Sequence, residues 1–153
     1  MKVLIVYETK YGNTKKAAET IGEVIKEAGN EVTVLKVDAV EMDIIKNYGA
    51  IVIGSPTYAS SQASSIKKFI SSLSVKQDTK IAVFDTHSGD GITTGGMMRR
   101  AVKKMEKQIQ KNPKLKKILN GLQVAVKGIK GPLVDGELDK CKEFGKEIAK
   151  NLK

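Results

Sequence analysis

Three short stretches hold most of the side chains able to do chemistry, and each follows an apolar run. In "YETKYGNT" (Tyr7–Thr14) the short polar residues Thr9, Asn13 and Thr14 surround Gly12 immediately before a helical pattern. Glycine permits a tight turn and close backbone approach, and a helix start offers free N–H donors and the positive end of the helix dipole, a place for phosphate. Ordinary helix capping by Asn13 or Thr14 would use the same residues. In "GSPTYASSQ" (Gly54–Gln62) hydroxyls come from Ser55, Thr57, Ser60 and Ser61, and Tyr58 supplies a flat ring able to lie against a planar ligand. In "FDTHSGDGITTGG" (Phe84–Gly96) glycines leave backbone donors and acceptors open to a ligand edge. Together these loops suit one molecule carrying a phosphate, a polar tail and a flat ring.

The elements that must position them alternate from end to end. Strands are expected at Lys2–Tyr7, Glu31–Lys36, Ala50–Gly54, Lys80–Phe84 and Leu122–Lys127, where β-branched and apolar residues run together between turns. Ala17, Ile21, Val24, Ile25 and Ala28 recur at helical spacing, and Gly29-Asn30 stops that helix. Further helices are expected from about Ser64 to Leu73, Thr94 to Lys111, and Gly136 to the C-terminal end, with short ones at Asp43–Asn47 and Pro113–Leu119. Alternation of this kind gives βαβ units and a parallel sheet. Five strands in this length fit a doubly wound α/β fold of flavodoxin-like strand order 2-1-3-4-5, with helices on both faces. In such sheets ligands bind at the carboxyl ends of the strands, at the switch point between strands 1 and 3.

Length and composition narrow the function. The 153 residues suit one domain, residues 1–153, with 41% hydrophobic and 29% charged residues. No apolar run reaches the roughly 20 residues of a membrane helix, so a soluble, cytoplasmic protein is expected. One cysteine, Cys141, and one histidine, His87, argue against disulfides and against cysteine- or histidine-rich metal sites. Cys141 reads as a half-buried helical residue, and Met98 and Met105 as core filler beside Ala101, Val102 and Ile109. Neither G-x-G-x-x-G nor G-x-x-x-x-G-K-[ST] occurs, which removes the usual dinucleotide and triphosphate loops. Asp38 follows the second strand where a ribose-binding acid could lie, but stands alone. A receiver domain would need an aspartate ending the third strand, where "GSPT" stands, and a low-molecular-weight phosphatase would need a cysteine in the first loop.

Charge is unevenly placed. The chain carries a net +10. Residues 1–75 hold 9 lysines against 8 acids, and Arg99–Lys117 holds 9 basic residues against Glu106 alone. Such a face is either a solvated helix surface or an attractor of acidic partners. Aromatics able to stack bases are scarce there, so nucleic acid is weakly supported.

With these residues in place, the pattern Ile5-Val6-Tyr7-x-Thr9-x-x-Gly12-x-Thr14-x-x-x-Ala18-x-x-Ile21 resembles the N-terminal signature of the flavodoxins at every fixed position. "GSPTY" resembles that family's second FMN loop, and "KYGNT" is especially similar to the flavodoxin modules of flavodiiron proteins. The length resembles short-chain flavodoxins. The resemblance implies non-covalent FMN and electron transfer between redox partners, the flavin carrying the redox chemistry. Thr9, Lys10, Tyr11, Gly12, Asn13 and Thr14 would surround the phosphate, with Pro56 and Thr57 in the second loop. Tyr58 would stack on the ring, Ala59-Ser60 would lie beside the flavin N5, and Thr86, His87, Ser88 and Gly89 would approach the pyrimidine end.

Departures from the family pattern carry their own expectations. Tyr11 replaces the usual threonine, leaving only its backbone for the phosphate. Ala59-Ser60 contains no glycine, so turning its carbonyl toward a reduced N5 would strain the peptide, and the one-electron-reduced flavin would be weakly stabilised. The third loop lacks the tyrosine that often covers the outer ring face, leaving His87 or Ile92, and a histidine near the flavin would tune its potential as it titrates. Flavodoxins are typically acidic around the flavin. This basic chain would favour an acidic partner, ferredoxin-like or an acidic reductase. Two other functions compete: an FMN oxidoreductase of quinones or of a porphyrinogen, akin to the menaquinone-dependent protoporphyrinogen oxidases, and a flavin-free binding module. The oxidases carry a long insertion near the last strand, for which Gln110–Gly121 is short.

Overall fold

The structure is a computed structural model that describes residues 1–58, 61–88 and 100–153. Its elements run in the order β1 (Lys2–Tyr7), α1 (Asn13–Glu27), β2 (Glu31–Lys36), β3 (Ala50–Tyr58), β4 (Ser61–Gln62), α2 (Ser64–Ser72), β5 (Thr79–Ser88), α3 (Arg100–Gln110), β6 (Leu115–Lys117), β7 (Leu122–Val126) and α4 (Glu137–Lys150). The main sheet is parallel in the order β2-β1-β3-β5-β6, with β7 also paired to β5. β6 lies along the start of β5, Thr79–Ile81, and β7 along its end, Phe84–Ser88, so the two are pieces of one fifth strand position. Order and layering match the expected doubly wound sheet.

Both faces of the central strands are buried, which is why they read as continuous apolar runs rather than alternating ones. On one face Val3, Ile5, Val52 and Phe84 pack under α1 and α4. On the other Leu4, Val6, Ile51, Ile53, Ile81 and Val83 pack under α2 and α3. Each such side chain, fully buried, stabilises the fold by about 1.5–3 kcal/mol. Cys141 belongs to the first cluster, fully buried, its thiol pushed up to about 12 by burial. Ala101, Val102, Met105 and Ile109 form the expected buried stripe of α3, while Met98 and the helix start near Thr94 lie outside the described residues. Gly29 stops α1 in the left-handed region at φ 97°.

The structure corrects three element expectations. Pro113–Leu119 is no helix: its central residues form β6, because Leu115 is drawn into the core beside β5 while Lys116 and Lys117 stay exposed. Asp43–Asn47 forms a 3₁₀ turn, Met42–Asn47, burying only Ile45. The third and fourth strands run four residues past their expected ends, to Tyr58 and Ser88, because pairing between β3 and β5 continues through Ser55–Asp85 and Pro56–Thr86 despite the polar side chains. That extension carries "SPTY" and "DTHS", the first parts of the second and third chemistry-bearing stretches, onto the sheet.

Candidate functional site

β1, β3 and β5 release their carboxyl ends side by side, and one cleft opens across them. Thr9, Lys10, Tyr11, Asn13, Thr14, Pro56, Thr57, Tyr58, Thr86, His87 and Ser88 line it, joined by Val126 and Ile129, around a volume of about 180 Å³. Eleven of the sequence-derived site residues therefore meet in one place. Gly12 stands behind the loop as the residue before α1, and Ala59, Ser60, Gly89 and Ile92 lie outside the described residues.

The first loop is built to leave donors free. Gly12 takes φ 92°, a left-handed conformation that glycine adopts without strain, and no side chain caps α1. Capping by Asn13 or Thr14 is thereby ruled out. Asn13 instead donates through Nδ2 to the Lys130 carbonyl at 3.1 Å, and Thr14 Oγ1 shares a 2.8 Å hydrogen bond with Thr86 Oγ1 across the cleft floor. Thr9 Oγ1 accepts the Gly12 N–H at 2.9 Å and rounds the loop. The first-turn N–H groups of a helix have no intrahelical acceptor, and here the first-turn residues Asn13 and Thr14 line the cleft at the positive end of the dipole, a setting for an anion. Glu8 braces the loop from below: its carboxylate accepts the Thr9 N–H at 3.0 Å and the Ser65 hydroxyl at 2.8 Å, and Lys36 lies 3.7 Å away.

The second stretch is a short hairpin. β4 returns antiparallel to the end of β3, with Thr57 opposite Gln62 and Tyr58 opposite Ser61. Ser55, fully buried, pins it by donating to the Pro56 carbonyl at 2.8 Å and accepting the Ala63 N–H at 2.9 Å. The hairpin leaves two groups for a ligand. Thr57 Oγ1 is buried yet has no hydrogen-bond partner among the described residues, and a buried hydroxyl in that state costs about 1–3 kcal/mol unless something completes it. Tyr58 is 43% exposed on the rim, its phenol raised from its ordinary value by partial burial, then by the charge of Glu8 and by Tyr11.

Tyr11, Tyr58 and Ile129 account for three of the five large apolar side chains most exposed among the described residues, and all three ring this cleft. Exposed apolar groups gathered at one concave place mark a ligand surface rather than a solvated one. Lys10 Nζ sits 5.5 Å from the Tyr11 ring centroid, adding a cation to that rim. No group of three or more His, Cys, Asp or Glu able to hold a metal occurs among the described residues.

The end of β5 differs from its sequence reading. The His87 side chain is only 2% exposed and turns into the protein, where Nδ1 lies 3.1 Å from Oδ1 of the fully buried Asp85. His87 is therefore no exposed cover for a ring face. Burial raises the Asp85 carboxyl, opposed by the His87 ring and by the backbone amides of Val102 and Val124. Asp85 Oδ2 and His87 Nε2 both remain buried without hydrogen-bond partners among the described residues. Asp85 escaped the sequence reading although its signal was visible, an acid set directly after the apolar "IAVF". Val126 and Ile129 were missed as well, because the switch-point rule directs attention to the first, third and fourth strand ends, while the "KGIKGP" turn after β7 also reaches the cleft.

This geometry has close counterparts. Residues 4–126 match the family model described as a flavodoxin domain. The flavodoxin of Clostridium beijerinckii is 31% identical over 95% of this chain and 97% of its own length, and the flavodoxin of Clostridium saccharobutylicum is 37% identical over a match spanning 46% of this chain and 44% of that one. Oxidised flavodoxin 1 from Bacillus cereus superposes with a TM-score of 0.82 at 26% identity, covering all of both chains. The rubredoxin:oxygen oxidoreductase of Desulfovibrio gigas shares the fold at a TM-score of 0.76 and 19% identity over 36% of its own length. An uncapped helix start, an exposed tyrosine on the rim and a switch-point cleft thus coincide with sequence kinship over most of the chain: it belongs to the flavodoxin family, the electron-transfer proteins that carry non-covalently bound FMN.

Proposed function

We propose that residues 1–153 act as one FMN-binding unit that passes electrons between protein partners, with Thr9–Thr14 receiving the FMN phosphate and Tyr58 flanking the ring. The observation carrying this reading is the uncapped start of α1 opening into the same cleft as the orphaned Thr57 hydroxyl. Both lack what a phosphate supplies, an acceptor for N–H and O–H groups. When bound, FMN provides the redox chemistry. The protein's own residues bind its anionic end, hold its ring against the Tyr58 rim and set access through the hairpin. Pro56 and Thr57 belong to the phosphate side, Thr86, His87 and Ser88 to the far end, and Ala59, Ser60 and Gly89 complete the set carried over from the family pattern.

An acidic redox partner, ferredoxin-like or an acidic reductase, suits the net charge of +10. The competing reading, a stand-alone oxidoreductase of quinones or a porphyrinogen, has less support, since only residues 118–121 separate β6 from β7. No helix among the described residues is long and apolar enough to cross a membrane.

Titrating the cofactor-free protein with FMN and with riboflavin tests the assignment. FMN should bind with the visible spectrum of a bound flavin and at least tenfold tighter than riboflavin, which lacks the phosphate. Equal affinities would remove the phosphate role of Thr9–Thr14, and failure to take up either would end the flavin reading. Turnover with NAD(P)H and a quinone should be slow compared with reduction by a carrier protein.

A further inference from the structure

Beside the flavin cleft, on the α2–α3 face of the sheet, lies a second hollow of about 260 Å³ whose charge is uniformly positive. Lys67 from α2 and Lys104, Lys107 and Lys111 from α3 stand around it. Its floor is a chain of neutral hydrogen bonds: Ser61 Oγ donates to Gln62 Oε1 at 2.8 Å, Gln62 Nε2 to Gln108 Oε1 at 3.0 Å, and Gln108 Nε2 to the Lys67 carbonyl at 2.8 Å. Those bonds fasten β4, α2 and α3 to one another, so the four ammonium groups are mounted on a rigid base.

The groove gathers lysines without acids among them. On α1 and α4 several lysines are matched to carboxylates one turn away, as in Lys15 with Glu19, Lys140 with Glu137, Lys146 with Glu143 and Lys150 with Glu147. None of the four groove lysines meets a carboxylate among the described residues, and Glu106, the acid of α3, is turned to Lys117 at 3.1 Å. Like charges spaced three or four apart on a helix destabilise it by a few tenths of a kcal/mol per pair. Attraction to the negative end of the helix dipole explains Lys107 and Lys111 near the end of α3. It does not explain Lys104, or Lys67 in the first half of α2.

We infer that this groove is the docking surface for the acidic partner of the electron-carrier reading, on which the inference rests. The occupant is a protein surface of aspartate and glutamate side chains around a one-electron redox group. Contiguity with the cleft gives the surface its use, because Ser61 and Gln62 in the groove are the register partners of Tyr58 and Thr57 in the flavin site. A partner seated on the lysines rests one strand away from the ring that Tyr58 flanks. Nucleic acid is disfavoured, since among the described residues no aromatic lines the groove to stack a base. A small anion is disfavoured too, because the floor donors are spent on one another and lysines alone act as unfocused point charges.

The test uses the FMN-loaded protein and a reduced acidic ferredoxin, which is oxidised by one electron as the flavin is reduced. Lys104→Gln, Lys107→Gln and Lys111→Gln are combined in one variant, and Lys142→Gln, Lys146→Gln and Lys150→Gln on α4, over the opposite face, in another of equal net charge. At low salt the groove variant should be reduced about tenfold more slowly and the α4 variant less than twofold, with the difference shrinking as salt screens the charges. Ferredoxin affinity, measured by calorimetry, should follow the same order. Equal slowing in both variants would reduce the groove to net charge and overturn the inference, as would no slowing in either. A loss confined to binding of a short single-stranded oligonucleotide would reassign the groove to nucleic acid. If FMN does not bind at all, the carrier reading fails by itself, and calorimetry with cofactor-free protein still judges the groove.

Discussion

Gly54→Ala is a small change with a large expected effect. Gly54 on β3 is the register partner of Phe84 on β5, and Phe84 is fully buried. A Cβ at position 54 would lie 2.5 and 2.6 Å from the two Cε atoms of that ring, with Cζ nearer still. Real Cβ contacts do not approach 3.0 Å, and the ring belongs to one packed cluster with Tyr7, Ala17, Val124 and Cys141, so it has nowhere easy to go. In an open strand, alanine for glycine would stabilise by about 0.5–1 kcal/mol through reduced chain entropy. Here contacts this short put overpacking at the upper end of its range, about 2–3 kcal/mol, so the net effect is destabilisation of about 1–2.5 kcal/mol. The Gly54 carbonyl also accepts the Glu8 N–H at 3.1 Å, so a shifted β3 would disturb both the phosphate loop and the Tyr58 hairpin. Urea unfolding and FMN titration of Gly54→Ala, Phe84→Leu and the double variant form a double-mutant cycle. Phe84→Leu, by removing ring atoms, should make the double variant more stable than the sum of the single effects by at least about 0.5 kcal/mol, with FMN affinity partly restored. Additive losses, or a Gly54→Ala protein as stable as the parent, would refute the steric reasoning.

Four further outcomes are expected. Gly12→Ala meets no atom within 4 Å, so its cost is backbone strain alone, about 1–2 kcal/mol, smaller for Gly12→Asn, read by unfolding. Thr14→Val and Thr86→Val each leave the other hydroxyl buried and unpaired, costing about 1–3 kcal/mol singly, whereas the double variant should lose less than the sum in the same assay. Tyr58→Ala should weaken FMN binding on the order of tenfold while Tyr58→Phe is nearly neutral, since stacking rather than the phenol matters there. Asp85 titrates above its ordinary 3.8 in the folded chain, so between that value and its raised one the native state holds a proton the unfolded chain has lost, and stability falls as pH rises through the window. Unfolding curves of Asp85→Asn across that range should be flatter than those of the parent.

The layout of the fold was legible because the central strands are buried on both faces and announce themselves as apolar runs. What the sequence concealed were places where tertiary contact overrules local type. Pairing with β5 makes β6 a strand although Pro113 and its lysines suit a helical turn, and "SPTY" and "DTHS" are polar yet extend the sheet. The phosphate loop was readable from Gly12 and its threonines, but the destinations of Asn13 and Thr14 were not, since both bond to residues far along the chain. His87 showed as a lone histidine, and its burial against Asp85 depends on β5 continuing past Phe84, which composition alone does not reveal.

Those distant bonds give the site a timetable. Thr14 reaches Thr86 across 72 positions, and Asn13 reaches Lys130 across 117. A chain made from its N-terminus at about 5–20 residues per second completes "KYGNT" early, but the partners that hold that loop in shape emerge many seconds later. The cofactor therefore meets a finished receptor only after most of the polypeptide has been made and folded. Flavin uptake in this protein doubles as an inspection of the fold, and a truncated or misfolded copy would be sorted from a sound one by its lack of colour.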